Sequence, residues 1–79
     1  MTNHEKYEQV FMNCFSLDKH ALNDQLVYNS IHAWDSVGHM AMIAALEQTF
    51  DIMIDTDDII DFSSYNKGFE ILAKYDIHV

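Results

Sequence analysis

Asp35-Ser36-Val37-Gly38-His39-Met40-Ala41-Met42-Ile43-Ala44-Ala45-Leu46-Glu47-Gln48-Thr49-Phe50 is the stretch on which the fold turns. Asp35 and Ser36 are short polar side chains of the kind that hydrogen-bond the free amides at a helix start. Val37, Met40, Ile43, Ala44, Leu46 and Phe50 then recur at helical spacing. Gly38 falls in the first turn, where a helix tolerates glycine better than in its middle. The pattern predicts a helix opening at Asp35-Ser36 and running to Phe50.

Upstream, Tyr7, Val10, Phe11, Cys14 and Phe15 fall at i, i+3, i+4, i+7 and i+8, one apolar stripe of a helix from about Asn3 to Phe15. Cys14 lies in that stripe and reads as a small buried hydrophobe. From Ser16 to Asp35 the periodicity fails. Leu17, Leu22, Leu26, Val27, Ile31 and Trp34 are scattered through this long connection and should pin it down. A short helical turn is expected around Leu22 to Tyr28.

Downstream, Asp55 or Thr56 caps a brief third helix through Ile59 and Ile60 to Asp61. Ser63 or Ser64 caps a last one, with Tyr65, Phe69, Leu72 and Tyr75 on one side. Gly68 inside that helix implies either close approach of another backbone or free space in the core. No strand pattern occurs. The expected fold is all-α, a single-domain four-helix bundle over residues 1–79, with three longer helices, a short third one and a long first loop.

Composition narrows the function. The chain has 79 residues, so one domain fills it and its core is small. Thirteen acids against four lysines give a net charge of −9, a surface that repels nucleic acid and anionic membranes. Proteins with basic patches are the natural partners, although such charge also serves solubility alone. The single cysteine excludes an internal disulfide and four-cysteine zinc sites. There is no long apolar run or signal-peptide core, so a cytoplasmic monomer without membrane insertion is expected.

Most chemical readings fail on spacing. Asp55, Asp57, Asp58 and Asp61 resemble a calcium loop. Ile60 and Asn66, however, stand where an EF-hand beginning at Asp55 needs glycine and a bidentate acid. Only weak, exchangeable divalent binding would remain there, and the five scattered histidines show no zinc spacing. Ser36 lacks the G-x-S-x-G elbow of a hydrolase, so the chain is not expected to be an enzyme. Asp35-Ser36 at a helix start remains: ordinary caps taken alone, but a favourable seat for a phosphate on the serine.

The neighbours of that pair carry more. Trp34-Asp35-Ser36-Val37-Gly38-His39-Met40, followed by Ala45-Leu46-Glu47 and Phe50-Asp51-Ile52, resembles the acyl carrier protein family, whose hallmark is Asp-Ser-Leu opening the second helix. The likeness spans essentially the whole chain. It implies that Ser36 accepts 4′-phosphopantetheine from coenzyme A through a phosphopantetheinyl transferase using magnesium, with Asp35 positioning the metal. Acyl groups would then ride on the arm as thioesters, passed among acyl-loading and acyl-transfer enzymes with basic patches.

The resemblance sets further expectations. Partners would meet Val37, Met40, Ala41, Glu47, Asp57 and Asp58. His39 either contacts the arm's phosphate or borders the core. Met42, Ile43, Leu46, Phe50, Ile54, Ile59, Phe62, Gly68, Phe69 and Leu72 would line the bundle where cargo could enter. The bulk of Phe62, Tyr65 and Phe69 argues instead for a filled core.

Two departures qualify the likeness. Val37 replaces the usual leucine, and Ala41, Gln48 and Thr49 stand where fatty-acid carriers are typically acidic. Five aspartates cluster instead from Asp51 to Asp61. A dedicated pathway, such as surface-glycan modification or a specialised metabolite, fits that pattern. The alternatives are an unmodified helical interaction module and an aminoacyl or peptidyl carrier.

Overall fold

The computed structural model describes residues 1–79 and contains four α-helices and no strand. Helix α1 spans Asn3–Phe15. Thr2 caps it by accepting the Glu5 amide at 3.1 Å, and the Glu5 carboxylate accepts the Thr2 amide at 2.9 Å, a reciprocal capping box. Ser16, in the left-handed region at φ 53°, ends the helix. Tyr7, Val10, Phe11 and Phe15 are buried, as their spacing requires.

The connection from Ser16 to Asp35 differs in detail from its expected form. Its one helical turn is a 3-10 turn at Lys19–Ala21, capped by Asp18, rather than a turn within Leu22 to Tyr28. Two physical reasons account for the shift. The Asn23 side chain accepts the Gln25 amide at 2.9 Å, a local bond that competes with helix. Beyond it, residues 26–28 are drawn out to pair with residues 63–65. Tyr65 donates its amide to the Leu26 carbonyl, Tyr28 donates to the Ser63 carbonyl, and Val27 bridges Ser64 antiparallel. Leu26 and Trp34 are the inward anchors of the loop. The Trp34 ring stacks on Phe15 at 5.2 Å and meets Phe11 edge-on at 5.5 Å.

Helix α2 spans Ser36–Phe50, packs against α1, and ends at Asp51, again left-handed at φ 53°. Met42, Ile43 and Leu46 form its inner face. Helix α3, Thr56–Asp61, has Asp55 at its N-cap, yet that side chain makes no capping bond. Helix α4 spans Tyr65–Ala73 and is capped by Ser64, which accepts the Lys67 amide at 2.9 Å; Ser63 is not the cap. Because α4 stops at Ala73, Tyr75 lies beyond its end rather than on its apolar side.

Gly68 accommodates neither a second backbone nor free space. A Cβ there would overlap the hydroxyl of Tyr7, which fills the position and donates to the Tyr65 carbonyl at 2.7 Å. Burial drives the Tyr7 phenol well above its ordinary pKa and raises that of Tyr65 to about 12, with the charge of Glu8 contributing to the second. Both phenols therefore remain protonated, and that of Tyr7 keeps its hydrogen bond to the Tyr65 carbonyl. No helix is long and apolar enough to cross a membrane.

Candidate functional site

Ser36 stands where the long connection passes into α2, and its side chain is exposed. The neighbouring Asp35 carboxylate accepts the Gly38 amide through Oδ1 at 2.8 Å, which starts the helix at Ser36. The amides of Ser36 and Val37 precede the first helical hydrogen bond and have no partner within the chain. These free donors and the helix dipole favour negative charge at this point.

The first turn of α2 is pressed against the connection. A Cβ on Gly38 would overlap the Ala33 carbonyl oxygen and touch Phe15 Cε1 at 3.3 Å. Glycine is therefore required here by close approach, and not merely tolerated in a first turn. Its absence of a side chain lets residues 33–35 lie flat against the helix they introduce.

Tyr28 reaches the site from the other side of the loop. Its hydroxyl lies 2.9 Å from Ser36 Oγ, with either atom able to donate. The ring meets His39 edge-on at 5.6 Å and 89°. His39 is committed to structure: its Nδ1 faces the Trp34 indole N–H at 2.9 Å, and its Nε2 lies 2.8 Å from the Ile59 carbonyl. An indole N–H can only donate and a carbonyl can only accept, so Nδ1 accepts and Nε2 carries the proton. The expectation that His39 contacts a phosphate is therefore corrected. Both ring nitrogens are taken, and the residue ties α2 to α3 at the core margin.

Beside Ser36 lies a cavity of about 340 Å³, bounded by Tyr28, His39 and Met40 on one side and Ile59, Ile60 and Phe62 on the other. Met40 (52% exposed), Val37 (79%) and Ile60 (74%) add exposed apolar surface on α2 and α3. Ala41 is exposed with them. Of the residues expected to line a cargo space, the structure brings only Ile59 and Phe62 to this cavity. Met42, Ile43, Leu46, Ile54 and Leu72 are buried in the core; Phe50 and Phe69 pack at its edge, and Gly68 is covered by Tyr7.

Three expected surface acids have different fates. Asp57 is exposed. Glu47 turns back through Oε2 to accept the Ile54 amide at 3.0 Å, holding the α2–α3 loop. Asp58 is buried at 5% exposure, with Lys74 Nζ at 2.5 Å and the Tyr75 hydroxyl at 2.6 Å. Those two bonds, Lys74 first, hold its carboxyl below the usual carboxylate range. It is a structural tie and no part of a partner surface. The acidic run around α3 does not converge on a metal position, since no group of three His, Cys, Asp or Glu side chains does so anywhere in the chain.

Sequence reasoning missed Tyr28, Ile60 and Ser63 as neighbours of Ser36. Tyr28 sits in the aperiodic connection, and only the pairing of residues 26–28 with 63–65 delivers it. Ile60 carried a signal, an apolar residue within an acidic helix of six. Cys14 is half-buried, and burial raises its thiol pKa, which suits a packed hydrophobe. No protein-family model matches the chain, and no match to it is found among curated proteins or solved structures.

Proposed function

We propose that this chain is a carrier of acyl groups, held as thioesters on 4′-phosphopantetheine attached to Ser36 Oγ. The observation that carries the reading is the exposed Ser36 hydroxyl at the first position of α2, beside Asp35 and opening on an apolar-walled cavity. The surrounding residues fit a phosphodiester. Two unpartnered amides and the positive helix end favour its charge, and no carboxylate makes a hydrogen bond to Ser36. When bound, the group supplies a terminal thiol that holds acyl cargo at high effective concentration for visiting enzymes.

Attachment is the work of a phosphopantetheinyl transferase. Ser36 Oγ forms a bond to phosphorus as the diphosphate linkage of coenzyme A breaks. Adenosine 3′,5′-bisphosphate leaves, and the hydroxyl proton passes to the enzyme's base. Asp35 Oδ2 has no hydrogen-bond partner in the chain and is free to approach the transferase's magnesium. Partners would dock over Val37, Met40, Ala41 and Ile60, with Asp57 meeting their basic residues at the flank. A dedicated biosynthetic partner set suits this face better than bulk fatty-acid enzymes, because α2 offers no exposed acid between Ser36 and Phe50.

Intact mass after incubation with coenzyme A, magnesium and a broad-specificity transferase tests the proposal, with Ser36→Ala alongside. The expected result is a gain of one phosphopantetheine, absent in the variant. The exposed patch of Val37, Met40 and Ile60 also suits an unmodified interaction module. A folded chain that gains no mass, with its host's own transferases as well, would support that second reading.

A further inference from the structure

We infer that Tyr28 is an arm-binding residue, whose phenol donates a hydrogen bond to the phosphodiester on Ser36 and whose ring holds the Ser36 end of the cavity. The inference rests on the carrier reading and extends it to a residue of the connecting loop. In the unmodified chain either hydroxyl can supply the hydrogen across the 2.9 Å contact. Esterification removes that freedom. The Ser36 oxygen then has no hydrogen, and phosphate oxygens only accept, so the single remaining donor in the pair is Tyr28. His39 cannot substitute, because Trp34 and the Ile59 carbonyl occupy both of its nitrogens.

The donor is held in place before any ligand arrives. The Tyr28 amide donates to the Ser63 carbonyl at 2.9 Å, and the Val27–Ser64 bridge and the Tyr65-to-Leu26 bond flank it. Val27 is held in turn by Ser30, whose Oγ accepts its amide at 3.0 Å and donates to its carbonyl at 2.6 Å. The ring rests edge-on against the doubly bonded His39. A donor fixed on both its backbone and its ring loses little freedom when it engages an anion, and a hydrogen bond to a charged acceptor is stronger than one to a neutral hydroxyl. Tyr28 thus replaces a neutral contact with a charge-assisted one on loading, and it anchors the phosphate end of the arm to the loop.

Tyr28→Phe tests this, since it keeps the ring and its packing while removing the donor. Wild type and variant are loaded to completion and compared by phosphorus NMR and by amide exchange over residues 27–30, each against its unloaded form. In wild type, loading is expected to raise exchange protection about three- to tenfold, the increment expected when a charge-assisted hydrogen bond replaces a neutral one. The variant loses that gain and shows a displaced phosphorus resonance. Equal phosphorus shifts and equal gains in protection would overturn the inference while leaving the carrier reading intact. Failure of wild type to load at Ser36 would remove the carrier reading and the inference with it. Should the variant not fold, wild type labelled at tyrosine Cζ decides: loading moves the Tyr28 resonance if the inference holds and leaves it unmoved if it does not.

Discussion

Trp34 donates its indole N–H to His39, His39 passes its own N–H to the Ile59 carbonyl, and so a residue of the loop fixes a residue of α3 through α2. The same dependence on distant neighbours governs Gly38. Its missing side chain is the space in which the Ala33 carbonyl lies. Gly38→Ala is expected to destabilise the chain by about 1–3 kcal/mol, because a backbone group yields less readily than a side-chain tip. Urea unfolding measures it, and an unchanged midpoint would show that residues 33–35 can retreat without cost. What was legible in the sequence at this scale follows from range. Asp35 and Ser36 announce a helix start because capping acts within three residues. Tyr28, Gly38 and His39 take their roles from partners placed by the folded loop, and composition around them carries no trace of it.

Helices α1 and α4 were legible because each buries a stripe whose period the sequence displays. Helix α2 was legible from its Asp35-Ser36 start, but of its spaced apolar residues only Ile43 and Leu46 are buried, while Val37, Met40 and Ala44 face outward. Helix α3 was legible as a brief helix through Ile59 and Ile60 to Asp61, but its charge misled: Asp58 turns inward because Lys74 and Tyr75, sixteen and seventeen residues on, receive it. Six residues cannot sustain a helix alone. Its position depends on this tie and on the His39 bond to Ile59. The folded-state pKa of Asp58 lies below its ordinary 3.8, so the stability it contributes is complete above that value and is lost as pH falls through the lowered pKa. Lys74 is shifted up from 10.5 by the same contact, so the tie persists on the alkaline side until pH rises through that raised value. Asp58→Asn is therefore expected to be less stable than wild type at neutral pH. The two unfolding midpoints should converge under strong acid, as followed by denaturant titration across pH. A difference that persists undiminished at the acid end would rule out this origin.

Taken whole, the molecule carries a charge of −9, yet the outward side of α2 carries almost none of it. Val37, Met40, Ala41, Ala44, Gln48 and Thr49 are exposed there, and Glu47, the one acid on the helix, is bonded to the next loop. Under the carrier proposal this face meets partners through apolar contact, with charge at its edges. Met40→Ser is expected to raise the transferase KM about five- to twentyfold with little change in kcat, from lost burial of roughly 1–2 kcal/mol. Asp57→Asn should change KM less than threefold, and its effect should fade as salt screens the flank. The reverse ranking in steady-state loading assays would assign docking to charge.

Residues 74–79 give the same architecture a mechanical side. Lys74 and Tyr75 grip Asp58, the Tyr75 hydroxyl accepts the Asp55 amide, Ile77 and Val79 lie on the core, and the His78 carbonyl receives the Asn3 side chain. This closing segment works as a strap, buckled at α1 and drawn across the base of α3. Slackening it by deletion or by pulling from a fused tag would let the far wall of the Ser36 cavity swing, although none of its six residues touches that cavity.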